Sequence, residues 1–382
     1  MTGNIEIDVF DSIERITRES WDAVAGDSVG INYALLLCRE RNSTGTIRPR
    51  YFLVRSSDES MAVSVAVIAS AADEAPLTPR LFGRRARRIG SIFKSIDCAL
   101  VCGRIPGPGA AVMVRRDTDE QRWVRIICGA MEEYARAHDL TMAYASVLPE
   151  QSSVLGELRR RKYLCGIDRP IATLDVTWQD TQSYLETLRR SRGKNYVHTT
   201  KSEIRRFRKS GARVSRFAGS DYAEVFDLLH RHNTRKNARD LVFRQGILED
   251  LATQLGDDCI VYVAHKVEVL IGVVVFVCRD NTARAWLIGI DHDADAKSFC
   301  YFNLCYYYPC GQFPALGIRK IFFGNAAQYA KYRRGCDIVE TRFLVRTTPG
   351  WLNLVLRPLF ALQRIFFRRK YRAALPQRTR TR

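Results

Sequence analysis

No apolar run in this 382-residue sequence approaches the ~18 residues that a membrane-spanning helix needs. Nor does it contain a Gly-x-Ser-x-Gly elbow, a His-Glu-x-x-His pair or a phosphate-binding Gly-x₄-Gly-Lys-Ser/Thr loop. Serine-hydrolase, zinc-protease and nucleoside-triphosphatase chemistry therefore lack support. Its eleven cysteines include no Cys-x-x-Cys pair. Cys98/Cys102 and Cys300/Cys305/Cys310 have neither the spacing nor the nearby histidine of a zinc site, so reduced core thiols are expected and no metal is. The opening MTGNIEIDVFDSIERI is acidic and alternating, unlike a secretory leader. These features predict a cytoplasmic protein. Acidic residues are also scarce: 60 Lys+Arg face 41 Asp+Glu, for a net charge of +19. The excess is regional. Residues 185–216 carry eleven basic side chains against Glu186 and Glu203, and residues 350–382 carry nine and no acid.

What is present is ordinary globular composition, 46% hydrophobic and 26% charged, which excludes wholesale disorder. Length allows two domains. Residues 4–10 alternate as a strand, and Ile13–Ala25 reads as a helix capped by Asp11 or Ser12. The runs from Tyr51 and from Met61, split by polar residues 56–60, read as a β-hairpin. Residues 71–94 read as a surface excursion, followed by a strand near 97–102, a helix at 118–138, a strand at 141–147 and a helix at 150–162. The second half repeats this order: helices at 222–232 and 246–254, a hairpin at 259–277, then a strand at 286–289, a helix at 299–316, a strand at 320–324 and a helical or looped segment at 328–335. Hairpin, strand, helix, strand, helix thus occurs twice, about 205–210 residues apart, which points to an internal duplication. The predicted fold class is α/β with mixed sheets. Its ranges are an N-terminal domain 1–172, a basic connector 173–216, a C-terminal domain 217–348 with the active cleft, and a basic amphipathic tail 349–382.

Four stretches carry a family resemblance. They are Asp11-Ser12-Ile13 with Trp21-Asp22-Ala23, Leu188-Arg189-Arg190-Ser191-Arg192-Gly193-Lys194-Asn195, the run from Phe299 to Tyr307, and the run from Phe323 to Gly335. Together they resemble the FemAB-like branch of the Gcn5-related N-acyltransferase (GNAT) superfamily. The resemblance implies tandem GNAT-like domains and amide formation by transfer of an activated acyl group to an amine. FemAB-like proteins take aminoacyl groups from tRNA, other GNAT enzymes use acyl-CoA, and neither donor is held as a tight cofactor. The acceptor is expected to be an amine of a cell-wall precursor or small metabolite. Two departures are plain: Asn303 stands where the family pattern suggests an acid, and Asn325–Tyr329 replaces a Gly/Gln-rich stretch. A catalytically inactive RNA- or membrane-binding module is a further reading.

Acyl-CoA binding needs free N–H groups at a helix N-terminus to cradle a pyrophosphate. Arg104-Ile105-Pro106-Gly107-Pro108-Gly109 has glycines in suitable places, but its two prolines remove donors. In the second half, Asp291, Asp293 and Asp295 would repel a pyrophosphate. Aminoacyl-tRNA is therefore the preferred donor. Arg189, Arg190, Arg192, Lys194, Arg205, Arg206, Arg208 and Lys209 are the candidate tRNA contacts, the alternative being a connector lying across the protein's own acidic surface. In the tail, aromatics and aliphatics alternate with arginines over 350–372. This pattern fits either a peripheral contact with anionic lipid at the inner membrane face or a helix docked on the protein body.

Aminolysis needs a proton route and donors for the developing oxyanion. The resemblance places these at the ends of the second-domain strands. Lys331, Asp291, His292 and Tyr306 are the candidate catalytic residues, with Lys331 occupying the place of a lysine in the family pattern. Asn303, Asn325, Gln328, Tyr329, Arg235 and Lys236 are the candidate substrate contacts. His230 and His232, two apart on a helix, cannot share a face and are not expected to pair on a metal.

Overall fold

The computed structural model describes residues 4–45, 48–70, 98–103, 109, 111–238, 240–294, 298–348 and 350–374. They form two compact units interleaved along the chain. The first takes residues up to Leu37, Thr46–Pro170 and Val339 onward; the second takes Cys38–Gly45 and Ile171–Ile338. The excursion at 71–94 and most of the 104–109 turn lie outside the described residues.

The first unit is built on a mixed sheet of β1 (Ile5–Phe10), β2 (Arg48–Ser56), β3 (Glu59–Ala69), β4 (Ala99–Cys102), β6 (Thr141–Val147), β15 (Arg342–Arg346) and β7 (Leu164–Ile167), in that order, with β5 (Val112–Val114) beside β3. The β2–β3 hairpin turns on Ser57 and Asp58, both at positive φ, as the right-handed twist of the strands favours. Where one helix was expected over 13–25, Ser12 instead caps a 3₁₀ turn and Ile16 is extended. Thr17 then accepts the Ser20 N–H to start α1 (Arg18–Ala25). The helix α2 (Tyr33–Asn42) was not anticipated at all. Asp119 caps α3 (Glu120–Ala137), whose Trp123, Ile127, Cys128, Met131 and Ala135 enter the core at helical spacing; α4 (Ser152–Arg160) follows β6.

The second unit holds a seven-stranded sheet in the order β14 (Asp337–Val339), β8 (Ile171–Asp175), β13 (Lys320–Phe323), β12 (Thr282–Ile290), β11 (Val269–Arg279), β10 (Cys259–Lys266), β9 (Ala212–Arg216). The expected repeat is present. Each unit has an antiparallel hairpin, then a strand parallel to the strand after the next helix: β4 with β6, and β12 with β13. Nine cysteines are buried; Cys98 is exposed and Cys165 half-buried.

Two expectations about chain organisation need correction. The units are not contiguous: β8 joins the second sheet between β14 and β13, and β15 joins the first between β6 and β7. Strands of five residues such as Ile171–Asp175 and Arg342–Arg346 are too short to announce a sheet by periodicity. Second, residues 173–216 are no connector. They fold as β8, α5 (Thr181–Arg192), α6 (Lys194–Lys209) and β9. Gly193, at φ 107°, separates the helices, and Tyr184, Leu185, Leu188, Thr200, Glu203 and Phe207 are buried in the second unit.

Candidate active site

Within the second unit, β12 and β13 pair only through Thr282–Arg284 and Lys320–Phe322. Beyond this, β12 continues to Ile290 paired with β11 alone, through a bulge at Trp286. The two parallel strands therefore part. Gly289 has no side chain because α7 (Ala223–Asn237) lies against it: a Cβ there would stand 3.1 Å from the Leu229 nitrogen. Past α8 (Ile247–Leu255), Gly272 likewise makes room on β11 for α9 (residues 300–312), since a Cβ would fall 2.7 Å from Cys300 Sγ. α9 is an α-turn at Cys300–Phe302, a π-helical segment at Asn303–Tyr307 and an α-turn at Tyr308–Gln312. Pro309 supplies no N–H, and the Tyr308 N–H reaches back five residues to Asn303. The helix expected over 299–316 is thus present, with a π-helical segment inside it and a 3₁₀ turn, Phe313–Leu316, at its end.

Lys331 stands on α10 (Gln328–Tyr332), which follows the loop leaving β13. Its side chain is 4% exposed, and Nζ donates to the Gly324 carbonyl at the end of β13. Burial, with a smaller contribution from Lys236, lowers its pKa from 10.5 to about 8; the Cys336 and Cys305 thiols oppose the shift. Burial raises both of those thiols, Cys336 to about 12, so they stand neutral beside Lys331, and no carboxylate among the described residues pairs with it.

The other predicted residues divide. Asp291 accepts the N–H groups of Asp293 (3.0 Å) and Ala294 (3.1 Å), with Arg231 3.7 Å away. These backbone bonds lower its pKa and make it a turn cap. His292 is exposed and stacks on buried His232, whose pKa is lowered by burial and whose Nδ1 lies 3.3 Å from the Ile290 carbonyl. Tyr306 is fully buried, stacked on Phe323 at 4.5 Å, with its pKa raised well above 10 by burial. It belongs to the core. So does Asn303, whose amide donates to the Phe299 carbonyl. Gln328 donates to the Asn325 carbonyl, fixing the loop before Lys331, while Tyr329 is half exposed. Arg235 pairs with Asp293 at 2.9 Å. Lys236 carries its charge within range of Lys331, His232 and Cys305.

Of the basic residues, Arg192 is a correction. It donates to the carbonyls of Tyr332, Gly335 and Cys336 and to Asp337, and stacks on Tyr332, so it is spent inside the fold. Arg206 lies over Phe299. Arg205, Arg208 and Lys209, joined by Lys201, line a cavity of about 510 Å³ between α5 and α6, with Leu185 and Ile204 as its apolar lining. Arg189, Arg190 and Lys194 are exposed.

Sequence reasoning missed the group that fixes α6. Glu203, buried, accepts from Arg334 Nη2 at 2.6 Å and from the Tyr307 hydroxyl. Arg334 also donates to the Ala330 carbonyl and lies over the Phe302 ring. One signal was available: Glu203 is the one acid between Glu186 and Arg216, and a lone acid in so basic a run suggests a buried partner.

Residues 194–332 match the family described as the acetyltransferase (GNAT) domain. The match runs from α6 to α10, within the second unit. No curated protein matches the chain. Among solved structures, it is similar to the C-terminal domain of a protein described as a lysylphosphatidylglycerol synthetase from Agrobacterium fabrum (TM-score 0.57, 11% identity, 91% of this chain and 96% of that one). FemX is similar at TM-score 0.54 and 10% identity, over 92% of this chain and all of that one. L-PGS from Bacillus licheniformis gives 0.50 and 12%, over 85% and 95%. At such identities the likeness is one of fold.

Proposed function

We propose that this GNAT acyltransferase of the FemAB-like branch forms an amide by moving an aminoacyl group from the ribose ester of aminoacyl-tRNA to a primary amine. Lys331 carries the reading. A buried ammonium without a carboxylate is undercompensated in the resting protein, and a developing oxyanion supplies the missing charge. The interaction is then stronger in the transition state than in the ground state, which is what acceleration requires. With a pKa of about 8, about nine-tenths of the protein holds the group protonated at pH 7.

In this scheme the acceptor nitrogen arrives neutral and attacks the ester carbon. The C–N bond forms and the carbonyl electrons move onto oxygen, where Lys331 Nζ donates. Collapse breaks the bond to the ribose oxygen, which takes up the proton that the amine gives up. Asp291 is not the acceptor of that proton, because its carboxylate is held by backbone N–H groups.

Two observations favour tRNA over acyl-CoA. The N–H groups of Asp293 and Ala294, in the turn before α9, are occupied by a carboxylate, which leaves them unavailable to a pyrophosphate. In addition, four cations line the α5–α6 cavity, as phosphate binding by counterion release needs. The acceptor would be the amine of a cell-wall precursor or small metabolite, modified in the cytoplasm where charged tRNA is available.

The test offers the protein labelled aminoacyl-tRNA or labelled acetyl-CoA with a panel of primary amines. Amide formation from tRNA alone, abolished in Lys331→Ala, is expected. Transfer from acetyl-CoA would overturn the donor, undiminished transfer by Lys331→Ala would overturn the site, and tRNA binding without transfer would make the chain a binding module.

A further inference from the structure

The C-terminal helix α11 (Leu352–Ala374) has two apolar faces. One is docked in the first unit: Leu352, Leu356 and Phe360 are buried against Ala99, Val101, Ala143, Ala145, Phe343 and Val345. Gln363 completes the attachment, donating to the Ile167 carbonyl at 2.7 Å and accepting the Ile167 N–H at 3.0 Å. The helix is thereby held on β7, the edge strand of its sheet.

The second face is bare. Trp351 (61% exposed), Leu354 (70%), Val355, Leu362, Ile365 and Phe366 (64%) make up six of the fourteen large apolar side chains exposed among the described residues. They fall within sixteen consecutive positions. The spacing from 351 through 354, 355, 362, 365 and 366 keeps them on one side, about opposite the docked residues at 100° per residue. Arg357, Arg364 and Arg368, spaced seven and four apart, form a stripe along one flank. Arg357 and Arg364 make no ion pair with a described residue, and Arg368 comes only within 3.9 Å of Glu340. No acid occurs from 350 to the end of the sequence.

We propose that this outer face of α11 is a docking surface for an anionic phospholipid bilayer, with the helix lying in the plane of the headgroups. An apolar stripe flanked by arginines matches an interface whose interior is apolar and whose surface is negative. A second copy of the chain fits less well, because a like face would bring the cationic stripes of two copies together. The helix does not span the bilayer: no helix among the described residues is long and apolar enough to cross a membrane. The face is held in place by the docked side before any lipid arrives, so binding orders no new segment. The inference is independent of the donor, the acceptor and Lys331.

The experiment is flotation of the full chain with vesicles of phosphatidylcholine alone and of phosphatidylcholine mixed with phosphatidylglycerol, at low and high salt. The chain floats with the anionic vesicles and not with the neutral ones, and salt weakens the association. Leu354→Ser/Leu362→Ser/Phe366→Ser lowers binding at least tenfold with an unchanged melting temperature, because all three side chains are exposed. Arg357→Gln/Arg364→Gln lowers binding to the anionic vesicles and flattens the salt dependence. Equal flotation with neutral vesicles, no flotation with either, or full binding by the apolar triple variant overturns the proposal. So does a dimer in lipid-free sedimentation that the triple variant dissociates, since the face would then be a contact between copies.

Discussion

Replacing Lys331 by methionine should make the protein more stable and inactive at once. Lowering the ammonium pKa from 10.5 to about 8 means that keeping it charged at pH 7 costs about 3 kcal/mol relative to the unfolded chain. Methionine fills nearly the same volume without charge. It forfeits the hydrogen bond to the Gly324 carbonyl, worth about 1 kcal/mol, and because Gly324 is exposed, water can take that carbonyl. The variant should therefore gain about 2 kcal/mol at pH 7. The gain must depend on pH with a definite sign. Between pH 8 and 10.5 the unfolded lysine holds a proton that the folded one has lost, so the parent grows more stable relative to the variant and the gap closes. Buried thiols raised to about 12, such as Cys102 and Cys278, push stability the other way over the same range, but equally in both proteins, so they cancel in the difference. Urea unfolding of both proteins at pH 7, 8, 9 and 10 measures it. Transfer should fall about 10²–10³-fold, as when one oxyanion donor is removed. A methionine variant no more stable at pH 7, or a gap constant with pH, would refute the claim that Lys331 is held charged at a cost.

Glu203→Gln should destabilise by about 3–5 kcal/mol by leaving Arg334 buried without its partner, and adding Arg334→Met should recover most of the loss in a double-mutant cycle. Asp291→Asn should keep most of its transfer rate while losing about 1 kcal/mol as a weakened cap; a rate loss of about 10²-fold or more would restore Asp291 as a general base. Arg205→Gln/Arg208→Gln/Lys209→Gln should lower the slope of log K against log salt for tRNA by about 0.7–0.9 per phosphate contact removed. Arg192→Gln, by contrast, should leave that slope alone and show its effect in thermal unfolding.

Much of the fold was legible because it is written locally. The hairpins Tyr51–Ala69 and Cys259–Val277, the helices near 120–137 and 223–237, and the twice-repeated order each follow from apolar periodicity and turn residues within a short window. The cleft was legible only as a neighbourhood. Lys331 could be named from the resemblance, but Asp291 looked like a base and Tyr306 like a catalytic phenol because the sequence shows neither the backbone N–H groups that Asp291 accepts nor the burial of Tyr306.

The sequence by itself determined the fold class, the duplication, the placement of excess charge and the amphipathic character of α11. All of these depend on composition and on residues close in the chain. Tertiary structure decided that β8 and β15 complete sheets beyond their apparent domains, that Arg192 and Arg334 are consumed internally while Arg205 and Arg208 face a cavity, and that Lys331 is buried beside neutral thiols. The sheet completions and the bonds of Arg192 and Arg334 depend on partners more than 100 residues away, the state of Lys331 on exclusion of water, and the cavity on how α5 and α6 pack; none is encoded in a local pattern.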